Sequence, residues 1–303
     1  MVALSSNLPM KKPNFFIIGA PKCGTTSLVS WLSRHPSIFM SPIKEPHHFN
    51  SDDGHCLTPR REDYECLFSG ANESQRAVGE ASVWYLYSKV AVDAIEHYSG
   101  RQARYVVCLR NPVEMAPSLH AEQLVGGNES ESSFEEAWRL QEERKGGKNI
   151  PINCHAPAHL LYGEVCSLGA RVADLLNKVP EERVHFILLD DISSRPCQVL
   201  QDLEIFLDVE PALPYVIPKI NGSKKIRSQF IHTFIGAGAA FKKRIGLKKG
   251  LGVLSWLKRK NVESDARPPL SEKTRGELVS YFYKDIRRLE RLIGRDLSAW
   301  VED

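Results

Sequence analysis

The sequence of 303 residues predicts an α/β fold in which helices flank a central, mostly parallel sheet within a single domain. Three observations support this prediction. Short apolar runs rich in β-branched residues alternate with segments of helical spacing, as in βαβ units. The first apolar run leads through a glycine-containing turn directly into a helix. No internal repeat or low-complexity linker divides the chain.

The predicted strands are short apolar runs that end at turn-forming or polar residues. In chain order they are Phe15–Ile18, Ile38–Met40, Arg104–Leu109 and Val184–Leu189. Nearly continuous apolar runs are typical of parallel strands that are buried on both faces, because neither face meets water.

Helices are predicted where apolar residues recur every three or four positions. A long amphipathic helix is predicted between Ser271, a favourable N-cap, and Gly294. The other predicted helices cover the segment that follows the glycine turn and residues 64–68, 90–98, 112–124, 134–143, 163–179 and 197–207.

Composition and charge favour an ordinary globular protein. Hydrophobic residues make up 42% of the chain and charged residues 25%, and the net charge of +3 is too small to suggest a nucleic-acid partner. The N-terminal residues lack a long apolar segment, and no stretch reaches the length of a membrane span. We therefore expect a cytoplasmic protein with no nucleic acid among its partners and no membrane span.

The cysteine pattern favours a reducing compartment. The chain has seven cysteines, an odd number without paired-motif spacing, so we expect free and mostly buried thiols. A bridge between Cys56 and Cys66 stays open at this point. The cysteine and histidine spacings do not match a zinc site, and no metal is predicted.

The turn after the first strand is the strongest functional signal. Residues 14–27, NFFIIGAPKCGTTS, place an apolar strand, a glycine turn and a helix N-terminus in succession. Backbone N–H groups converge at such a junction, and the helix dipole favours an anion there. Gly19 and Gly24 have the glycine spacing of the P-loop motif GxxxxGK[ST], so the fold is expected to resemble that of P-loop kinases.

Two departures from the P-loop pattern predict different chemistry. The lysine lies at Lys22, before the second glycine, and Thr25 fills the usual lysine position. The strand that would end in a magnesium-binding Asp in a triphosphatase ends in Arg110 here, which suits a second anionic group better than a metal. We therefore predict a site in which Lys22 faces the leaving oxygen of a group attached to a 5′-phosphate.

Several stretches resemble the PAPS-dependent sulfotransferases, whose donor is 3′-phosphoadenosine 5′-phosphosulfate (PAPS). Residues 21–27 resemble their 5′-phosphosulfate loop, and Arg110 followed by Ser118 resembles the signature that holds the 3′-phosphate. Residues 44–49, KEPHHF, resemble the KE(P/V)HFF stretch of the branch related to the heparan sulfate sulfotransferases and their bacterial relatives. The tail, residues 267–300, resembles bacterial members, so the resemblance covers nearly the whole chain.

This resemblance implies a single sulfotransferase domain over residues 14–303, preceded by a flexible N-terminus at 1–13. The implied reaction transfers a sulfuryl group from PAPS to a hydroxyl or amine, in line at sulfur and without a metal, and releases 3′,5′-ADP. The expected partner is a small-molecule acceptor such as a specialised metabolite. Residues 228–262, which are rich in Lys and Arg, are expected to form a basic lid or an acceptor-binding insertion.

The resemblance also implies which residues bind the donor. Arg110 and Ser118 would hold the 3′-phosphate. Cationic residues of a late loop would close over the nucleotide, with the choice among Lys224, Lys225 and Arg227 left open. The 5′-phosphosulfate would be held by Pro21, Lys22, Cys23, Gly24, Thr25, Thr26 and Ser27.

Catalysis in this family needs charge neutralisation on the leaving oxygen and a base for the acceptor. Lys22 would supply the first. Glu45 would be the general base, because it matches the glutamate of KE(P/V)HFF, and His48, His47 and Glu80 are further candidates.

Acceptor contacts are implied for Glu80, His47 and Tyr85. Glu80 and Tyr85 match the GEKxPxY stretch of the polysaccharide enzymes, whose lysine is replaced here by Ala81. That replacement favours a small acceptor over a sulfated polysaccharide.

Three alternatives share parts of this evidence. A glycan sulfotransferase would hold an anionic chain against the basic residues 242–260. A nucleotide kinase would transfer a phosphoryl group from ATP with Mg²⁺. A non-catalytic module would bind 3′,5′-ADP without turning PAPS over. The sequence leaves the identity of the acceptor and the oligomeric state open.

Overall fold

The computed structural model describes residues 11–53, 56–212, 224–226, 262–264 and 269–302. Two compact units are formed by interleaved segments of the chain. The first comprises Met1–Arg110, Leu168–Lys219 and Arg288–Arg295, and the second comprises Asn111–Ser167, Ile220–Arg287 and Asp296–Asp303. The expected single domain over 14–303 stays a prediction. The expected basic region 228–262 lies, apart from its last residue, outside the described residues.

The first unit contains a five-stranded sheet whose strand pairs are all parallel, which confirms the predicted fold class. The order across the sheet is β2-β3-β1-β4-β5. The strands are β1 (Phe15–Gly19), β2 (Ile38–Met40), β3 (Ala77–Ala81), β4 (Arg104–Leu109) and β5 (Val184–Leu188).

Four of these strands were predicted from their apolar runs, whereas β3 was not. Its sequence, AVGEA, contains a glycine and a glutamate, which are both unfavourable in strands. The glycine is explained by the neighbouring strand, because a Cβ at Gly79 would lie 2.3 Å from Cζ of the Phe15 ring. All five residues of β3 are nevertheless buried.

Each predicted helix has a described counterpart at about the predicted position, but two predicted helices are divided, and the helix Leu189–Ser194, whose first residue was predicted to end a strand, was not predicted. The predicted helix 134–143 breaks at Leu140, and the predicted helix 163–179 breaks at Ser167, whose hydroxyl donates to the Gly163 carbonyl oxygen at 2.6 Å. In chain order the helices are α1 (Thr25–Leu32), α2 (Arg61–Cys66), α3 (Ala91–Tyr98), α4 (Pro112–Gly126), α5 (Phe134–Arg139), α6 (Gln141–Lys145), α7 (Tyr162–Cys166), α8 (Leu168–Leu176), α9 (Leu189–Ser194), α10 (Pro196–Phe206) and α11 (Glu272–Ile293).

The second unit contains helices α4 to α7, residues 272–287 of α11, and a two-stranded antiparallel pair of β6 (Lys224–Ile226) and β7 (Val262–Ser264). The predicted N-cap of α11 is confirmed, since the Ser271 hydroxyl accepts from the Thr274 amide at 3.2 Å. Within the described ranges, no helix is both long enough and apolar enough to cross a membrane.

All seven cysteines are free, so the bridge between Cys56 and Cys66 is absent. Burial is confirmed only for Cys23, Cys108 and Cys166, whereas Cys66 and Cys197 are exposed. The expectation of mostly buried thiols was therefore wrong.

The sheet order determines where functional residues can meet. β1 is the middle strand, with β3 on one side and β4 on the other. Since parallel strands all end at the same edge of a sheet, the segments that follow β1, β3 and β4 are neighbours there. In open α/β sheets this carboxyl edge is where ligands bind.

Candidate active site

The turn between β1 and α1 adopts a left-handed conformation at two residues. Lys22 has φ 64°, and Gly24, the N-cap of α1, has φ 85°. A Cβ at Gly24 would lie 2.9 Å from Leu189 Cδ1 and 3.2 Å from Ile192 Cδ1, both on α9. Glycine is therefore required at this position both for the backbone conformation and for the close packing.

The residues of the predicted phosphosulfate loop differ in their exposure to solvent. The buried ones shape the turn, and the Cys23 thiol donates to the Pro21 carbonyl oxygen at 3.4 Å. Those with solvent exposure are available to a ligand. Pro21, Cys23 and Thr25 are buried, Lys22, Gly24 and Ser27 are half-buried, and Thr26 is exposed.

Arg110 is brought to the same turn by β4. The Ala20 amide donates to the Cys108 carbonyl oxygen at 2.8 Å, which ties the turn to the end of β4. The Arg110 guanidinium then donates from Nη1 to the Lys22 carbonyl oxygen at 3.3 Å. Lys22 and Arg110, which are far apart in sequence and were both predicted to bind PAPS, thus lie side by side.

The other residues predicted to bind PAPS, namely Ser118 at the 3′-phosphate and the cationic residues of the late loop, belong to the second unit or lie outside the described residues. Ser118 is on α4 and is 1% exposed, and the backbone of β6, which includes Lys224 and Lys225, lies beside that helix. Arg227 lies outside the described residues. The roles of these four residues stay predictions.

Glu45 lies on a loop that is fixed to the end of β3. Its amide donates to the Ala81 carbonyl oxygen at 2.8 Å. Both Glu45 and His47 have positive φ angles, 62° and 49°, which is an uncommon conformation for residues other than glycine. The strain is offset by hydrogen bonds from the loop to β3 and beyond, including one from the His47 amide to the Ser82 hydroxyl at 3.1 Å.

The Glu45 carboxylate is paired on both oxygens. Lys44 Nζ contacts Oε1, and His47 Nε2 lies 3.2 Å from Oε2. Burial raises the pKa of Glu45, but the hydrogen bond from His47 and the charge and hydrogen bond of Lys44 outweigh burial and lower this pKa to about 2. Glu45 is therefore ionised throughout the physiological pH range.

The tautomer of His47 follows from its second neighbour. Asn50 Nδ2 lies 3.4 Å from His47 Nδ1 and 3.2 Å from the Asp53 carboxylate. An amide nitrogen is a donor, so Nδ1 accepts and Nε2 carries the proton that is donated to Glu45. His47 itself is fully buried, with 0% exposure.

A second carboxyl group, Glu80 on β3, lies beneath this loop and is fully buried. It accepts hydrogen bonds from the Ser82 hydroxyl at 2.8 Å and the Tyr64 hydroxyl at 3.2 Å. Burial raises the pKa of Glu80 to about 7, against the opposing effect of these hydrogen bonds. Glu80, Ser82 and His47 thus form a continuous path of hydrogen bonds from the sheet to the Glu45 loop.

Tyr85 and His48 also have positions that the sequence did not reveal. The Tyr85 hydroxyl accepts from the amides of His48 and Phe49 at 2.9 and 3.3 Å and so holds the loop backbone. The His48 ring stacks on Tyr64 at 4.3 Å, and its Nδ1 donates to the Thr58 carbonyl oxygen at 2.6 Å. A catalytic role for His48, and acceptor contacts for Glu80, His47 and Tyr85, stay predictions.

Three contributors were missed in the sequence: Asn50, Tyr64 and Ser82. The alternation of a strand places Glu80 and Ser82 on one face, so this pair could have been found once β3 was recognised. Tyr64 lies on α2, 16 residues from Glu80, and no local sequence pattern predicts the hydrogen bond between them. Within the described residues, no three His, Cys, Asp or Glu side chains are grouped so that they could hold a metal ion.

Comparisons with known proteins identify the family of the chain. A family model described as the sulfotransferase domain matches residues 12–219. The crystal structure of a sulfotransferase from Alicyclobacillus acidocaldarius is similar with a TM-score of 0.71 and 29% identity, over 96% of this chain and 100% of the other. The predicted fold and family are confirmed.

Curated relatives point to the same family. The membrane-associated sulfotransferase kil1 of Dictyostelium discoideum is 27% identical over 65% of this chain and 56% of its own length. Carbohydrate sulfotransferase 15 of Homo sapiens is 31% identical over 66% of this chain and 44% of its own length. The chain spans about half the length of these two relatives.

We predict that Glu80 makes the stability of the protein depend on pH. Folded Glu80 holds its proton up to a pKa of about 7, whereas the unfolded chain releases it near 4.5. The stabilising contribution is therefore fully present below pH 4.5 and is lost as the pH rises towards 7. Glu80→Gln, which mimics the protonated form, should flatten the fall in the free energy of unfolding between pH 5 and 8, by up to ~1.4 kcal/mol per pH unit.

Urea unfolding at a series of pH values measures this effect. Glu62→Gln on the exposed surface of α2 is the matched control and should keep the wild-type slope. An unchanged slope in Glu80→Gln would show that Glu80 is already ionised at pH 5.

Proposed function

Because the chain belongs to the sulfotransferase domain family, we propose that it transfers a sulfuryl group from PAPS to a hydroxyl or amine of a small-molecule acceptor and releases 3′,5′-ADP. The observation that carries this proposal is the left-handed turn at Lys22 and Gly24 with the Arg110 guanidinium beside it. The turn and the N-terminus of α1 suit a 5′-phosphosulfate. The guanidinium suits a second anionic group, such as a 3′-phosphate.

In the proposed reaction, the acceptor oxygen attacks sulfur while Glu45 takes the acceptor proton. The new O–S bond forms as the bond between sulfur and the 5′-phosphate oxygen breaks, and that oxygen leaves on 3′,5′-ADP. Lys22 neutralises the negative charge that develops on the leaving oxygen. His47 donates a hydrogen bond to the Glu45 carboxylate and so orients it.

The acceptor class is supported less directly. Ala81 stands where the resembling polysaccharide enzymes have a lysine, which favours a small acceptor. A glycan acceptor is the second candidate, and the name of one relative, carbohydrate sulfotransferase 15, favours it.

The proposed function is tested by incubating the full chain with PAPS and fractions of a metabolite extract, with EDTA present. We expect a small molecule to gain the mass of a sulfuryl group, together with an equal amount of released 3′,5′-ADP. A parallel incubation with unsulfated heparosan-like polymers tests the glycan acceptor. Tight binding of 3′,5′-ADP without any transfer would instead support the non-catalytic alternative, and phosphoryl transfer from ATP with Mg²⁺ would support a kinase.

We predict that Lys22→Ala lowers kcat by at least ~100-fold, since the lysine acts on charge that develops only as the S–O bond breaks. The affinity for 3′,5′-ADP, measured by titration calorimetry, should change by less than about threefold. Lys89→Ala, at an exposed position of the same unit, is the control and should behave as wild type. Equal losses in kcat and affinity would make Lys22 a binding group only.

We predict that Glu45→Gln lowers kcat by ~10²–10⁴-fold, the usual contribution of a general base. A base acts when it is ionised, so its activity is present above its pKa and is lost as the pH falls through that pKa. Because the pKa of Glu45 is about 2, kcat/KM of the wild type should show no acidic limb from this residue between pH 5 and 8. Glu62→Gln is the control, and near-normal kcat in Glu45→Gln would assign the base elsewhere.

A further inference from the structure

Lys44 is the charged group closest to the proposed base that the mechanism above does not use. Its ammonium contacts Oε1 of Glu45, and the two side chains are 29% and 30% exposed. The pair is therefore accessible to a ligand, unlike the fully buried Glu80 beneath it.

The position of this pair follows from the strands to which it is attached. The Glu45 amide is hydrogen-bonded to the Ala81 carbonyl oxygen at the end of β3. Burial raises the pKa of Cys108, on β4, to about 12, and the positive charge of Lys44 partly opposes this rise. Since β3 pairs with β1, the pair lies at the edge of the sheet where β1 ends. The turn between β1 and α1, residues 20–24, which is called the phosphate turn below, begins there. Its Ala20 amide is hydrogen-bonded to the Cys108 carbonyl oxygen.

We propose that Lys44 exchanges partners during the reaction: it holds the Glu45 carboxylate before the donor binds, and it turns to the sulfuryl group when PAPS occupies the phosphate turn. This inference rests on the proposed function. A lysine suits such an exchange, because its ammonium is a point charge on a flexible stem with three donors and no fixed fork geometry.

The exchange would link donor binding to the strength of the base. The groups that contact Glu45 are Lys44 and His47, and His47 is linked to Glu80 through Ser82. The charge of Lys44 also lowers the pKa of Cys108 against the effect of burial. While Lys44 holds Glu45, the carboxylate is a weak base, since opposite charge favours the ionised form. When the ammonium moves to the sulfuryl group, the carboxylate loses the neighbouring charge of Lys44 and keeps the hydrogen bond from His47, and the affinity of the carboxylate for the acceptor proton increases.

The test compares two nucleotides that differ only in the sulfuryl group. Dissociation constants for PAPS and 3′,5′-ADP are measured by titration calorimetry on the full chain, without an acceptor. Lys44→Met should weaken PAPS binding by about tenfold and leave 3′,5′-ADP binding unchanged. Lys89→Met is the matched control and should leave both constants unchanged, and melting temperatures confirm that each variant is folded.

Glu45→Gln separates a partner exchange from a merely structural role. If Glu45 competes for Lys44, this variant should bind PAPS more tightly than the wild type by a few-fold and bind 3′,5′-ADP as before. The double variant Lys44→Met/Glu45→Gln should lose that gain. If the double variant keeps the gain, the effect of Glu45 is simple repulsion of the donor, and the inference is overturned.

The remaining outcomes also decide between the hypotheses. Equal weakening of both nucleotides in Lys44→Met would assign Lys44 a structural role and overturn the inference, while the proposed function stands. If the wild type binds neither nucleotide, the proposed function fails, and the inference fails with it.

Discussion

The parallel pairing of β1 with β3 and β4 is the constraint on which the candidate site depends. Hydrogen bonds continue the pairing beyond the strands, with the Ala20 amide bonded to Cys108 on one side and the Ser82 amide bonded to Ile17 on the other. A parallel register brings three strand ends to one edge, whether or not the segments that follow contact one another. The turn between β1 and α1, Arg110 and the loop of the proposed base share that edge for this reason. A shift of one residue in the register would move every one of these groups.

Two carboxyl groups near this edge show how strongly the environment determines charge. Glu45 and Glu80 lie at opposite ends of one hydrogen-bonded path, yet the pKa of Glu45 is lowered to about 2 and that of Glu80 is raised to about 7. Glu45 is half-buried and has cationic and histidine partners, whereas Glu80 has only hydroxyl partners and no exposure. Hydroxyl groups bond a carboxylate without neutralising it, so burial dominates at Glu80.

The parts of the fold that the sequence predicted correctly are those specified locally. The strand Phe15–Gly19 and the turn that ends at Gly24 carry their signals in adjacent residues. The strand that was missed, β3, contains two residues that are explained only by contacts with other parts of the chain. Gly79 makes room for the Phe15 ring on β1, and Glu80 accepts hydrogen bonds from hydroxyl groups. The breaks at Leu140 and Ser167 likewise do not appear in the hydrophobic period.

The candidate site divides in the same way. Motif resemblance identified Glu45 and His47 by position, but the partners of this loop include residues far away in sequence, such as Ser82, which is 35 residues from His47 and accepts from its amide. Periodicity describes which face of an element is buried, and it contains no information about which hydroxyl meets which carboxyl across elements. For that reason, the electrostatic state of the proposed base could be derived only after the surrounding side chains had been located.

A carboxylate base that faces an anionic donor, as in the proposed mechanism, is subject to an electrostatic conflict. An ionised carboxylate repels a phosphosulfate nearby, and the repulsion is stronger where the site is partly shielded from water. Neutralising the carboxylate by protonation would remove the repulsion but would also remove the base. A cation between the two groups removes the repulsion and preserves the base, provided that it can leave the carboxylate when the proton is taken. In the proposal above, Lys44 has this role, since it contacts Glu45 and has a flexible side chain, whereas the buried His47 is held on its other side by Asn50.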